Sequence, residues 1–213
     1  MIPITPSRAT LLFESCVESL AEALAAERLG AHRIELCSAL DQDGLTPSRD
    51  LIDRCLQQLT IPVMVMIRPR GGDFVYSEAE VAQMAEEIAF CKQRGVAGVV
   101  FGLLTRDGAI DVEHTERLID AARPLEVTFH KAIDFSHDVL RSFGELNALD
   151  GLTRVLTSGG CATAWDGRDV LKAMHALPGR RIGIIAAGRL LPENRERVAD
   201  YTGIRELHGK RIV

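Results

Sequence analysis

The chain of 213 residues lacks several features that would assign it to a specialised class. No apolar segment approaches the roughly 20 residues needed to span a bilayer. No block of like charges is present, and the formal net charge is -5. These absences argue against a membrane or a nucleic acid as the main partner. The first residues, MIPITPSRATLLFES, lack both the basic region and the long apolar region of a secretion signal, so a cytoplasmic location is expected. The five cysteines (Cys16, Cys37, Cys55, Cys91 and Cys161) are scattered, with no C-x-x-C pair. That spacing offers neither a zinc-site signature nor a disulfide framework, and free thiols are expected. No Pro/Ser/Gly-rich linker divides the chain, and neither G-x-G-x-x-G nor a P-loop occurs.

What is present is regular. Hydrophobic residues make up 46% and charged residues 26%, an ordinary globular balance. Eight apolar, β-rich runs recur: TLLFESCV (10–17), RIELC (33–37), PVMVMIRP (62–69), GVVFGLL (98–104), EVTFHKAI (126–133), TRVLTSG (153–159), RIGIIAAG (181–188) and IRELHG (204–209). Each starts roughly 20–35 residues after the last, the length of a strand plus a crossover helix. The segments between read as helices. Gly30 and Gly95 suit helix ends, Thr46 and Pro47 an N-cap and first position, and Ser77 with Glu80 a capping box. Glycine-led junctions at Gly30, Gly95, Gly151 and Gly203 share one form. Repeated βα units of this kind predict a single α/β domain over residues 1–213, a TIM-type (β/α)8 barrel. After HGKRIV no residues remain for an eighth helix, so a partner copy is expected to cover the bare wall.

In such barrels the site lies at the C-terminal ends of the strands, where this sequence turns polar. The runs offer Glu14 with Cys16, Glu35 with Cys37, Arg68 with Arg70, and His130, Lys131 and Asp134. The later runs add Thr157, Ser158, Gly159, Gly160, Gly188, Arg189, Glu206, His208 and Gly209. Residues two apart on a strand face the same way, which predicts three same-facing pairs among the first six. The barrel mouth is the expected direction, because charge is costly against an apolar helix layer. Mutual neutralisation of Glu14, Glu35, Arg68 and Arg70 is the plainer alternative. Cys55, Cys91, Met64 and Met66 read as core.

The stretches ESCVES, GAHRIELCSAL, DGLTPS, IPVMVMIRPRGGDFVYS, GVVFGLLTRDGAIDVE, VTFHKAID and RVLTSGG resemble the CutC family over about residues 12 to 209. The resemblance implies a TIM-type barrel with a role in copper homeostasis, cytoplasmic and often dimeric. It places the family's Cu(I) cysteines on Cys16 and Cys37. The polar set at the mouth then falls on Glu14, Glu35, Arg68, Arg70, His130 and Asp134. The sequence departs from the family's usual pattern at Lys131, where arginine is usual, and at AAGRLLPEN, a less glycine-rich loop; the usual C-terminal extension is also absent.

Two functions compete for these residues. Soft Cu(I) prefers thiolates, which favours Cys16 and Cys37 as a copper site. Alternatively, Arg68 and Arg70 clamp the carboxylate or phosphate of a small molecule, while Glu14, Glu35, His130 and Asp134 supply acid–base groups, as in an isomerase, lyase or aldolase. The glycine-rich turns at Ser158–Gly159, Gly188 and His208–Gly209 would then supply anion-binding positions.

Overall fold

The computed structural model describes residues 10–213. The reading of the first residues as lacking a secretion signal rests largely on residues 1–9 and lies outside the described residues. Eight parallel strands close into a barrel in sequence order. They are β1 (Leu12–Val17), β2 (Arg33–Leu36), β3 (Val63–Met66), β4 (Gly98–Phe101), β5 (Glu126–Phe129), β6 (Arg154–Thr157), β7 (Gly183–Ala186) and β8 (Glu206–Gly209). Seven helices cover the outside: α1 (Leu20–Arg28), α2 (Arg49–Gln58), α3 (Glu78–Arg94), α4 (Val112–Ala122), α5 (Val139–Ala148), α6 (Arg168–His175) and α7 (Arg195–Thr202). No helix follows β8 among the described residues, and none is long and apolar enough to cross a membrane.

The strands are short and mostly buried, because a parallel sheet is covered on both faces. One face meets the helices through Ile34, Leu36, Val63, Val65, Val99, Phe101, Val127 and Phe129, the main core. The other fills the barrel, where Cys16, Cys37, Met64, Met66 and Val100 form a second, smaller cluster. Below it lies an ionic layer in which Arg33 pairs with Glu14 and Glu206, and Arg154 with Glu126 and Glu206. Glu206, expected near the mouth, begins β8 and therefore belongs to this lower layer.

Local sequence signals set most helix starts. Ser77 and Glu80 close a reciprocal capping box on α3, and Gly95 ends that helix at φ +73°. The start of α2 differs from expectation: Ser48 is its N-cap, and Thr46 lies outside. The reason is tertiary. Thr46 pairs with the backbone of Arg68 in both directions, its N–H donating to the Arg68 carbonyl and its Oγ1 accepting the Arg68 N–H. This ties the loop after β2 to the loop after β3, at the mouth.

Candidate functional site

Strands β1 and β2 run side by side with Cys16 opposite Glu35. Alternation then turns Glu14, Cys16, Glu35 and Cys37 into the barrel, all buried. The two sulfurs lie 3.9 Å apart, and the Cys37 Sγ is 3.6 Å from the Glu35 carboxylate. From β8, His208 reaches across the closure of the barrel, with Nδ1 2.8 Å from Glu14 and Nε2 3.6 Å from Glu35. The ligating atoms of Cys16, Glu35 and Cys37 all lie within 4.8 Å of one another, and so do those of Glu14, Glu35 and His208. One compact knot of five side chains therefore joins three adjacent strands.

Their protonation states divide. Burial would raise Glu14, but the hydrogen bond with His208 and the charge of Arg33 outweigh it and hold this carboxyl at about 2. Glu35 has no such cation dedicated to it. Burial lifts it well above the ordinary value, His208 opposes this, and the charges of Cys16 and Glu14 add to it. Burial also works against a charged His208, yet Glu35, Cys16 and Glu14 around it raise its pKa well above the usual histidine value. For Cys16 the largest influence is the hydrogen bond with Cys37, which overcomes burial and, with His208, brings the thiol to about 5. Cys37 moves the other way, raised by that same bond and by burial. The pair thus holds one proton between two sulfurs near neutral pH.

Above the sulfurs opens a cavity of about 330 Å³. Its lining includes Cys16, Glu35, Arg68, His130, Gly188, His208 and Gly209 from the expected set. Lys131 and Arg189, also expected, line it too, together with Lys210, Asp43, Phe74, Phe135 and the apolar Leu40, Met66, Leu156 and Ala187. Phe74 stands between its neighbours, 4.8 Å from the Arg68 guanidinium and 5.1 Å and 5.5 Å from the rings of His130 and Phe135. It therefore forms part of the wall over the mouth, as the glycine turn before it allows: Gly72 has φ +85°.

The two arginines part company. Strand β3 ends at Met66, so strand alternation no longer governs Arg68 and Arg70. Arg68 is buried and donates from Nη1 to the carbonyls of Gln42 and Gly44 and from Nη2 to that of Gly72. Arg70 points away, its side chain 37% exposed, and pairs with Glu80 and Asp73. The expected same-facing clamp is absent, and Arg70 secures the loop to the start of α3.

His130 is buried, and its Nδ1 accepts the N–H of Ala132 at 3.2 Å, which leaves the hydrogen on Nε2. Burial and the nearby charge of Arg68 lower it to about 3, so the ring is neutral. Asp134 is taken up by the loop after β6. Its carboxylate accepts from Thr157 Oγ1, Ser158 N–H and hydroxyl, and Gly160 N–H, and pairs with Lys131 at 2.7 Å. Ser158 and Gly160 thus give their amides to Asp134. Gly159, at φ +72°, is closed in by the Gly167 carbonyl, 2.5 Å from where a side chain would begin.

Arg33 was not among the expected site residues, although the signal existed. It lies two places before Glu35 on β2, and the same alternation turns it inward to Glu14. Phe135, Leu156 and Lys210 carry no such sequence signal, since only the closed barrel brings them to one rim.

Comparisons with known proteins agree with one another. The model of the CutC family matches residues 11–213. The human copper homeostasis protein cutC homolog is 44% identical over 197 residues, covering 92% of this chain and 72% of that protein. A CutC family protein of Glaesserella parasuis is 41% identical over 195 residues, covering 92% and 80% respectively. Among solved structures, a CutC protein of Streptococcus agalactiae superposes with a TM-score of 0.90 at 34% identity, over 96% of this chain and 100% of that one.

Proposed function

The chain belongs to the CutC family, and from that premise we propose that it serves copper homeostasis by binding Cu(I) through Cys16 and Cys37. The observation that carries the reading is the buried thiol pair, 3.9 Å apart, of which Cys16 lines a cavity that reaches solvent and Cys37 stands behind it. Cu(I) is soft and favours thiolates, and one of these sulfurs is held ionised by its neighbours. Glu35 and His208 stand close enough to take up or give up the second proton as the metal enters or leaves. A cytoplasmic setting fits, because all five cysteines are free.

The acid–base roles expected of Glu14, Glu35, His130 and Asp134 draw less support. Glu14 is committed to Arg33 and His208, Asp134 to its loop, and His130 to a backbone amide. Glu35 keeps one oxygen, and His130 its Nε2, without a hydrogen-bond partner.

The fold also suits a pair of copies. A groove of about 330 Å³ lies between Ala25 and Ala26 of α1, Leu29 just after it, and Arg211 and Val213. Ala25, Ala26, Leu29 and Val213 give it an apolar strip beside Glu22, Lys210 and Arg211, which an element of a second copy would cover.

The copper reading is tested by anaerobic competition of the reduced protein against a strong Cu(I) chelator. Stoichiometric binding is expected in the wild type. Cys16→Ser and Cys37→Ser should each weaken it by orders of magnitude. Binding indifferent to both serines would end the proposal.

A further inference from the structure

Arg68 is a cation out of place. It is 3% exposed, yet it makes no ion pair with any described residue. Its partners are neutral groups, three carbonyl oxygens, the face of Phe74 and the nearby Tyr76, and its Nε has no hydrogen-bond acceptor. Carbonyls orient a guanidinium but carry no net charge to balance it, and a buried charge without a counter-ion is unfavourable by several kcal/mol. Every other buried arginine here has a carboxylate: Arg33 has Glu14 and Glu206, and Arg154 has Glu126 and Glu206.

Arg68 lines the cavity above the thiols, and a second guanidinium sits on its rim. Arg189 is exposed, makes no ion pair with a described residue, and has φ +54°, a left-handed conformation that a non-glycine residue adopts at a cost. That backbone is pinned from both sides. The Asn194 side chain donates to the Arg189 carbonyl, and Ala164 N–H donates to the Gly188 carbonyl. The effect is to hold Arg189 at the mouth. Lys131 and Lys210 also face the cavity, each already paired, with Asp134 and Glu18. The acidic side chains of the lining are Glu35 and Asp43. Much of the remaining wall is carbon, from Phe74, Phe135, Leu156 and Met66.

We propose that this cavity binds a small organic carboxylate, whose charge balances Arg68 and Arg189 and whose carbon skeleton lies against Phe74, Phe135 and Leu156. The volume, about 330 Å³, sits at the small end of ligand sites and suits an acid of a few carbons. Inorganic phosphate would satisfy the charge but leave the aromatic walls uncovered. The cavity shares Cys16 with the thiol pair, so the carboxylate is placed towards Arg68 and Arg189, and metal-free protein is used to read its binding by itself.

The test is calorimetric titration of the metal-free, reduced protein with acetate, succinate and glutarate, and with succinamide and inorganic phosphate as controls. At least one of the carboxylates is expected to bind and succinamide to give no heat. Arg68→Gln should abolish the binding. Arg189→Gln should weaken it about tenfold or more, the loss of one charge-assisted contact. Since Arg68 also holds three loop carbonyls, its variant can fail to fold. The exposed Arg189 then decides the matter alone. The proposal is overturned if none of the three carboxylates binds, if succinamide or phosphate binds as well as they do, or if Arg189→Gln leaves the affinity unchanged.

Discussion

Glu14 and Arg33 are both buried, and each stays charged because the other does. Replacing Glu14 with Gln keeps the shape and removes the charge, leaving Arg33 with the more exposed Glu206 and His208 with no close anion except the raised Glu35. The folded carboxyl titrates near 2 against 4.5 for the free group. Its contribution is therefore fully present above pH 4.5 and is lost as the pH falls through the folded value. Urea unfolding at neutral pH should show Glu14→Gln less stable by about 3 kcal/mol. The gap to wild type should close as the pH is lowered from 4.5 towards 2; a gap constant with pH would refute the assignment. At this scale the sequence was partly legible. Glu14, Cys16, Glu35 and Cys37 could be paired by alternation because they stand on or directly after strands. Arg68 and Arg70 could not, since β3 ends before them and loop contacts 22 and more residues away decide where Arg68 goes.

Strand β4 starts at a glycine for a reason that the neighbouring strands supply. A Cβ on Gly98 would stand 2.6 Å from the Glu126 carbonyl oxygen of β5 and would also run into the Met64 side chain of β3. Met64 can move, but the backbone of β5 cannot without disturbing the barrel. Gly98→Ala should therefore cost about 1–3 kcal/mol, measurable as a lowered urea midpoint with an unchanged slope. Elements were the most legible part of the chain, because their signals are local. The Ser77–Glu80 box and the helix-ending Gly95 follow from neighbours in sequence. Thr46 looked like a cap by the same logic, and its bond to Arg68, 22 positions on, overrode it.

For the molecule as a whole, eight repeated units were enough to indicate a closed barrel, since periodicity survives where single contacts are invisible. The cavity was not legible, because its rim gathers residues from loops after five different strands, and loop paths have no period. The groove beside α1 leads to the remaining expectation. Sedimentation velocity should show a dimer, and Leu29→Glu, which places a charge in that groove, should shift the population to monomer without altering Cu(I) binding. A monomer in the wild type would remove the proposed pairing.

The seam where the barrel closes has a temporal consequence. Cys16 and Cys37 are made long before His208, which bonds Glu14 across 194 positions. A chain still being synthesised exposes both thiols without the imidazolium that helps keep Cys16 ionised, and without the neighbours that bury them. On the proposed copper reading, loading is expected only once β8 has docked on β1. A chain lacking β8 would carry both sulfurs without the enclosure or the charge that the proposed site needs.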